Sequence, residues 1–286
     1  MATAELKTPS GQRTTLPARL RWAAGAARLT LREPGDGLDR AIGRISSLVH
    51  GGTVVRHSYE AVADWEERLH RLLGAPWPCP EHAEFETVWS RTSAELREQG
   101  LATGRAAYGG WDDGDAGFAR SVWCVCRHLP ASTVLETGVA RGITSRVILE
   151  ALERNGAGTL HSIDLPALDP ALHAEIGAAV PERLRGRWRY LEGTSRKRLP
   201  PLLAELGEID LFVHDSSHTT RNVRFELERA WGALQRGAVL ADDIERNDGF
   251  GDFLDARAQT PGLVARADDG VALFGIALKG LGESGH

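Results

Sequence analysis

From Phe118 to Ala241 the chain alternates helical stretches with short apolar, β-branched runs, and nothing else in it constrains the fold as tightly. Helix is expected over Phe118 to His128, strand over Thr133–Glu136, helix over Thr144 to Asn155 and strand over Thr159–Asp164. Pro170 to Val180 reads as mostly helical, Trp188–Leu191 as strand and Ser195 to Leu206 as helix. Ile209–His214 follows as strand, Thr220 to Leu234 as helix and Ala238–Ala241 as strand. Strands separated by such helices need crossover connections, which are right-handed and make the sheet parallel. The end breaks the rhythm. Val264-Ala265-Arg266 and Val271–Ile276 flank Ala267-Asp268-Asp269-Gly270, and Asp-Gly between two apolar runs predicts an antiparallel hairpin. The expected fold class is α/β, a doubly wound, mostly parallel sheet closed by a C-terminal hairpin.

The preceding part has a different period. Leu38, Ile42, Ile45 and Val49 recur at helical spacing up to His50-Gly51-Gly52. Ser58 stands where an N-cap belongs, before the stripe Val62, Trp65, Leu69 and Leu72, which Gly74 and the prolines Pro76–Pro80 end. A third helix, about Glu81 to Gln99, presents Phe85, Val88, Trp89 and Leu96. Met1 to Arg28 carries Arg13, Arg19, Arg21 and Arg28 against Glu5, the pattern of a frayed or partner-clasping arm. The run GRAAYGGWDDGDAG, Gly104 to Gly117, is expected to be a loop. It is either a linker or a lid whose Tyr108 and Trp111 close over a ligand. The expected organisation is a flexible arm over 1–36, a helical extension with lid or linker over 37–114, and one domain over 115–286. The apolar N-terminal helices could also serve a homo-oligomer.

Composition removes several function classes. With 286 residues, 42% hydrophobic and 26% charged, the chain is neither disordered nor fibrous. A net charge of −5 leaves no overall basic field to hold nucleic acid. No apolar run approaches the roughly 18–20 residues of a membrane span, and the start lacks the apolar run of a secretory signal. Three cysteines, Cys79, Cys124 and Cys126, form no disulfide framework, so a reducing cytoplasm is the simplest compartment. Zinc is not expected, because Cys124 and Cys126 share one helix without matching histidine spacing. They read as packing residues.

In open α/β sheets ligands bind beyond the carboxyl ends of the strands. The first strand runs into Glu136-Thr137-Gly138-Val139-Ala140-Arg141-Gly142, where Gly138 permits a tight turn and Gly142 a close approach. This is neither a dinucleotide fingerprint nor a P-loop. Arg141 either meets a ligand carboxylate or is solvated. Asp164 ends the second strand, where an acid can take both ribose hydroxyls or cap the next helix. Glu192-Gly193-Thr194-Ser195 ends the third, with small side chains that could face an adenine or cap the helix. The fourth strand leads into His214-Asp215-Ser216-Ser217-His218 and the fifth into Asp242-Asp243. If these strands are neighbours, Asp215, Asp242 and Asp243 gather at one rim. That demands a cation or raised pKa values. Three carboxylates suit Mg²⁺, with Ca²⁺ or Mn²⁺ as alternatives. His218, Asp215 and His214 are the candidate bases, His218 first.

The run ETGVARGITSRVILEALERNGAGTLHSIDLP, with HDSSHT and LADDIERNDGF, resembles the class I S-adenosylmethionine-dependent methyltransferases. Its spacing is similar to that of the small-molecule O-methyltransferases that include the macrolide-sugar enzymes of antibiotic pathways. The resemblance covers about Asp115 to Lys279. It implies a seven-stranded sheet, with Glu136, Thr137, Gly138 and Gly142 lining the methionine end of the cofactor. It places Asp164 at the ribose, Ser195 near the adenine and Asp215 at the cofactor's edge, while Asp215, Asp242 and Asp243 hold Mg²⁺. Ala140 stands where the family often has another glycine. The implied reaction is in-line methyl transfer from a sulfonium to a hydroxyl of a sugar or phenol. Two rivals stay open: a nucleic-acid methyltransferase, which would need a basic aromatic platform, and a non-methylating S-adenosylmethionine-binding protein.

Overall fold

The computed structural model describes residues 16–32, 34–35, 55–109, 111–165 and 167–281. Its first elements are α1 (Leu16–Arg32), α2 (Trp65–Leu73), α3 (His82–Glu98), β1 (Gly104–Tyr108) and β2 (Trp111–Asp113). There follow α4 (Ala116–His128), β3 (Thr133–Thr137), α5 (Ile143–Asn155), β4 (Thr159–Asp164) and β5 (Trp188–Glu192). The chain continues through α6 (Ser195–Leu206), β6 (Ile209–His214), α7 (Thr220–Ala233) and β7 (Leu234–Ala241). It closes with α8 (Gly249–Asp255), β8 (Gly262–Arg266) and β9 (Leu273–Lys279).

Seven strands pair in the order β5-β4-β3-β6-β7-β9-β8. The five from β3 to β7 run parallel, while β9 lies antiparallel to both β7 and β8. The chain winds outward from β3 to β5, then returns to lay β6 on the other side of β3. The order therefore reverses between β3 and β6, and a crevice opens at such a point.

The apolar strands supply both faces of this sheet, because successive side chains alternate. Leu211 and Val213 of β6, with Ala238 and Leu240 of β7, pack with Val122, Trp123, Val147 and Ile148 of α4 and α5. Phe212, Val239 and Ala241 face the opposite layer, with Leu199, Val223, Leu227 and Phe253 from α6, α7 and α8. The N-terminal helices join the first layer through Trp65, Leu69, Phe85 and Val88. Phe85 is completely buried, and burying such a side chain contributes about 1.5–3 kcal/mol. Asp115 caps α4, its Oδ1 accepting the Phe118 amide at 2.7 Å, and its Oδ2 accepts the Asp268 amide from the β8–β9 turn. Among the described residues no helix is long and apolar enough to cross a membrane.

Some expectations change. Residues 16–32 form a helix where a frayed arm was expected, because Leu16–Arg32 is dominated by Ala, Leu and Arg, strong helix formers. Arg21 of this helix pairs with Asp169 at 2.8 Å. The helix expected over Leu38 to Val49 lies outside the described residues. Asp64, not Ser58, precedes α2, without a side-chain cap bond. Pro170 to Val180 makes one short 3₁₀ turn, Pro170–Glu175. The glycine-rich segment is not a bare loop: Tyr108 pairs with Trp111 and Gly104 with Asp113 in an antiparallel hairpin. The Asp112 carboxylate also accepts the Ala106 amide at 2.8 Å and so locks the turn.

Candidate active site

The switch point is built from peptide bonds before any side chain enters. The Asp215 amide donates to the Thr137 carbonyl at 2.8 Å and the Asp242 amide to the His214 carbonyl at 3.0 Å. Parallel pairing thus delivers the exits of β3, β6 and β7 side by side. Gly138, at φ +88°, lies so close to the β6 exit that a Cβ would stand 1.9 Å from the Asp215 carbonyl oxygen. Its lack of a side chain is dictated by the neighbouring strand as much as by any ligand. Gly142, at φ +78°, starts α5. Ala140, where the related pattern often has glycine, takes the left-handed φ of +47°.

Glu136 is wholly buried. Its Oε2 accepts the hydroxyls of Ser145 at 2.6 Å and Ser162 at 2.7 Å, and its Oε1 has no partner among the described residues. Burial pushes the carboxyl up to about 7 against the pull of the two hydroxyls. An unpartnered buried carboxyl oxygen at a switch point is what an ammonium group would satisfy. Asp164 ends β4, half-buried, within electrostatic range of Glu136, Tyr108 and Tyr190. The hairpin thus puts a phenol beside the candidate ribose acid.

Asp215, Asp242 and Asp243 share the next stretch of rim. Burial, followed by the charges of Asp242, Asp243, Glu136 and Asp113, holds Asp215 well above the ordinary carboxylate range. Burial and Asp243 do the same to Asp242, whose Oδ1 is buried without a partner among the described residues. Burial pushes Asp243 up to about 6, against the nearby Arg246 at 3.2 Å. Asp243 takes φ +51°, uncommon for a residue with a side chain and typical of strain kept at functional sites. The three carboxylates gather electrostatically as expected, but their oxygens do not all close to within 4.8 Å.

His218 Nε2 lies 3.7 Å from Asp243 Oδ2, and its Nδ1 is buried without a partner. Burial, then the charges of His214 and Arg246, lower it to about 3, so the imidazole is neutral at ordinary pH. His214 sits behind it, ring to ring at 5.5 Å, with Nδ1 held by Glu226 at 2.6 Å.

Glu226 is the residue that strand-end reasoning misses. It collects the Thr137 hydroxyl at 2.6 Å, Ser216 at 2.9 Å and Asn222 at 2.8 Å besides His214. Burial alone would raise it, but the charge and hydrogen bond of His214, with the bond from Thr137, bring it down to about 2. The signal was present: positions 223, 226, 227 and 230 are the buried stripe of α7, and an acid at 226 interrupts it.

Three of these residues have partners far along the chain. The Thr137 hydroxyl donates to Glu226. Ser195 donates to Asn222 at 3.3 Å, and Thr194 precedes α6 without a side-chain cap bond. Arg141 is not solvated. It is 4% exposed, pairs with Asp113 at 3.0 Å and Glu175 at 2.7 Å, and donates to the carbonyls of Ala102 and Ala107. It is the bolt that fastens the β1–β2 hairpin over the switch point.

A family model of a methyltransferase domain matches residues 135–244, from β3 to just past β7. No curated protein matches the chain by sequence. Among solved structures, one from Klebsiella pneumoniae assigned as an O-methyltransferase is 17% identical, with a TM-score of 0.51 over 75% of this chain and 96% of that one. TomG of Streptomyces achromogenes, an O-methyltransferase of tomaymycin synthesis seen with S-adenosylmethionine, is also 17% identical, with a TM-score of 0.50 over 67% and 89%. At that identity the likeness carries the fold. Sheet order and the solved structures agree on the fold of the class I methyltransferases, and residues 135–244 of this chain match the methyltransferase-domain model.

Proposed function

We propose that this enzyme methylates a hydroxyl oxygen of a small molecule, a sugar or phenol, with a divalent cation, Mg²⁺, at Asp215, Asp242 and Asp243. The observation that carries it is the set of three carboxylates at the exits of adjacent strands. Each is raised by burial and by acidic neighbours, and Asp242 Oδ1 lacks a partner among the described residues. Hard oxygen donors in such surplus suit Mg²⁺. When bound, the ion orients a hydroxyl and lowers its pKa. S-adenosylmethionine supplies the methyl group, on a sulfonium.

The chain's own residues do the positioning, which dominates an in-line transfer. Glu136 offers its unpartnered oxygen to the methionine ammonium, and Asp164, beside Tyr108 and Tyr190, takes the ribose. His218, neutral and partly exposed, takes the hydroxyl proton and passes it directly to water, since its lowered pKa does not let it keep the proton. The β1–β2 hairpin, bolted by Arg141, keeps water from the reacting centre. O-Methylation is the activity assigned to both structural relatives, and the acidic balance of the chain opposes a nucleic-acid acceptor.

The test is a screen of sugars and phenols with methyl-labelled S-adenosylmethionine, with and without chelator, beside calorimetry of cofactor binding. Asp164→Ala should weaken binding about 30-fold, the loss of two hydrogen bonds near 1 kcal/mol each. Turnover should vanish in chelator and return with Mg²⁺. Full turnover in chelator would remove the metal, and unchanged binding by Asp164→Ala would remove the ribose assignment.

A further inference from the structure

Away from the active site, on the face where α2 meets α4, three metal-ligating side chains come together. The donor atoms of His70, Cys79 and Cys124 all lie within 4.8 Å of one another, the one such group among the described residues. His70 belongs to α2, Cys79 to the proline-rich segment after it, and Cys124 to α4. A fourth candidate follows one helical turn later: His128 Nε2 is 3.6 Å from Cys79 Sγ. Cys124 and His128 are four residues apart on α4, the spacing that puts two side chains on one helix face. Their rings and thiols meet closely, with the His70 and His128 ring centroids 4.9 Å apart.

The state of His70 makes this more than a cluster. Its Nδ1 lies 2.7 Å from the Glu66 carbonyl oxygen. A carbonyl can only accept, so Nδ1 carries the hydrogen and Nε2 presents a bare lone pair. That Nε2 is buried, has no hydrogen-bond partner, and belongs to a side chain with no solvent exposure. Histidines that bind metals commonly donate their other ring nitrogen to a carbonyl in this way, which fixes the tautomer and ring orientation.

We propose that His70 Nε2, Cys79 Sγ and Cys124 Sγ, with His128 Nε2 as fourth ligand, form a closed structural Zn²⁺ site. Two thiolates and two imidazoles are a familiar zinc donor set, and soft sulfur disfavours Mg²⁺ or Ca²⁺. Zinc bonds of about 2.3 Å to sulfur and about 2.0–2.1 Å to nitrogen, at a tetrahedral angle, put S and N roughly 3.6 Å apart. The Cys79–His128 separation already has that value. The ion would staple the segment from α2 to Cys79 onto α4, and it is independent of the acid rim. Cys126, the other α4 cysteine, is fully buried in the core and takes no part.

The whole chain, purified under reducing conditions and stripped by chelator, is titrated with Zn²⁺ against a chromogenic competitor and, in parallel, with Co²⁺. One equivalent of Zn²⁺ should bind, and Co²⁺ should give thiolate-to-metal charge-transfer absorption. Loss of an outer hydrogen-bond partner alone typically costs about 10–100-fold in affinity, so Cys79→Ser and His70→Ala should lose more than about 100-fold. Asp242→Asn, on the acid rim, should keep both the affinity and the charge-transfer band. The wild-type Co²⁺ spectrum keeps the question answerable if a variant fails to fold. Absence of the band, zinc uptake indifferent to Cys79→Ser, or a Cys79–Cys124 disulfide in freshly isolated protein would overturn the site.

Discussion

Glu136 ties stability to pH in a way that can be isolated. Its carboxyl moves from the ordinary 4.5 to about 7 because burial penalises the anion. A carboxyl raised in the folded state keeps its proton longer there than in the unfolded chain. Between about 4.5 and about 7 the native state therefore holds one more proton, and stability falls as pH rises, by about 1.4 kcal/mol per unit. The shift amounts to about 3 kcal/mol, fully lost above the folded value and fully regained below the unfolded one. Other groups titrate in this window, Asp243 among them, so a single curve would not assign the effect. Glu136→Gln removes the ionisation while leaving an oxygen for Ser145 and Ser162, and the groups that do not interact with Glu136 appear equally in both proteins. Urea midpoints of both, measured without cofactor from pH 5 to 8, should diverge with rising pH. The glutamine variant should gain about 2–3 kcal/mol relative to wild type across that range. Parallel curves would refute the argument, for they would mean that Glu136 keeps one protonation state throughout. A complementary readout comes from the cofactor. If the ammonium seats on Glu136, wild-type affinity should rise with pH through about 7, while that of the variant should stay flat.

Gly138→Ala must put a methyl group 1.9 Å from the Asp215 carbonyl at a positive φ, which should cost about 2–4 kcal/mol. Calorimetry should record the drop, and an unchanged melting temperature would separate the two strand exits. Arg141→Met leaves Asp113 buried without its partner, worth about 3–5 kcal/mol, and should speed proteolysis of the 104–113 hairpin. Wild-type cleavage rates would detach Arg141 from the hairpin. Ala140→Gly should relieve a left-handed alanine by about 1–2 kcal/mol, less about 0.5–1 for the freer unfolded chain. A small rise in melting temperature is expected, and a fall would contradict it.

How far the sequence carried these conclusions depended on whether a property was local. The parallel sheet was legible because apolar runs and helix lengths repeat with fixed periods, and Thr159–Asp164, Ile209–His214 and Ser195–Leu206 fall where their patterns put them. The acid rim was legible because parallel pairing makes strand ends neighbours, so Asp215 and Asp242 needed only adjacency of β6 and β7. What escaped depends on partners far along the chain. Arg141 looked solvated because nothing within ten residues of it announces Asp113, Glu175 or the carbonyls of the hairpin. The partner of the Thr137 hydroxyl was not legible because Glu226 lies several elements further along the chain. The cysteines looked like packing because His70 and Cys79 reach Cys124 only when α2 docks on α4. In each case the sequence displayed a polar group in an apolar context, and the fold supplied its partner. A buried polar group must find one, so such interruptions of an apolar stripe are where long-range structure can be sought from sequence. On that argument His70 is a position outside the acid rim still in need of one, since its Nδ1 is paired and its Nε2 is not, and a bound cation is what would satisfy it.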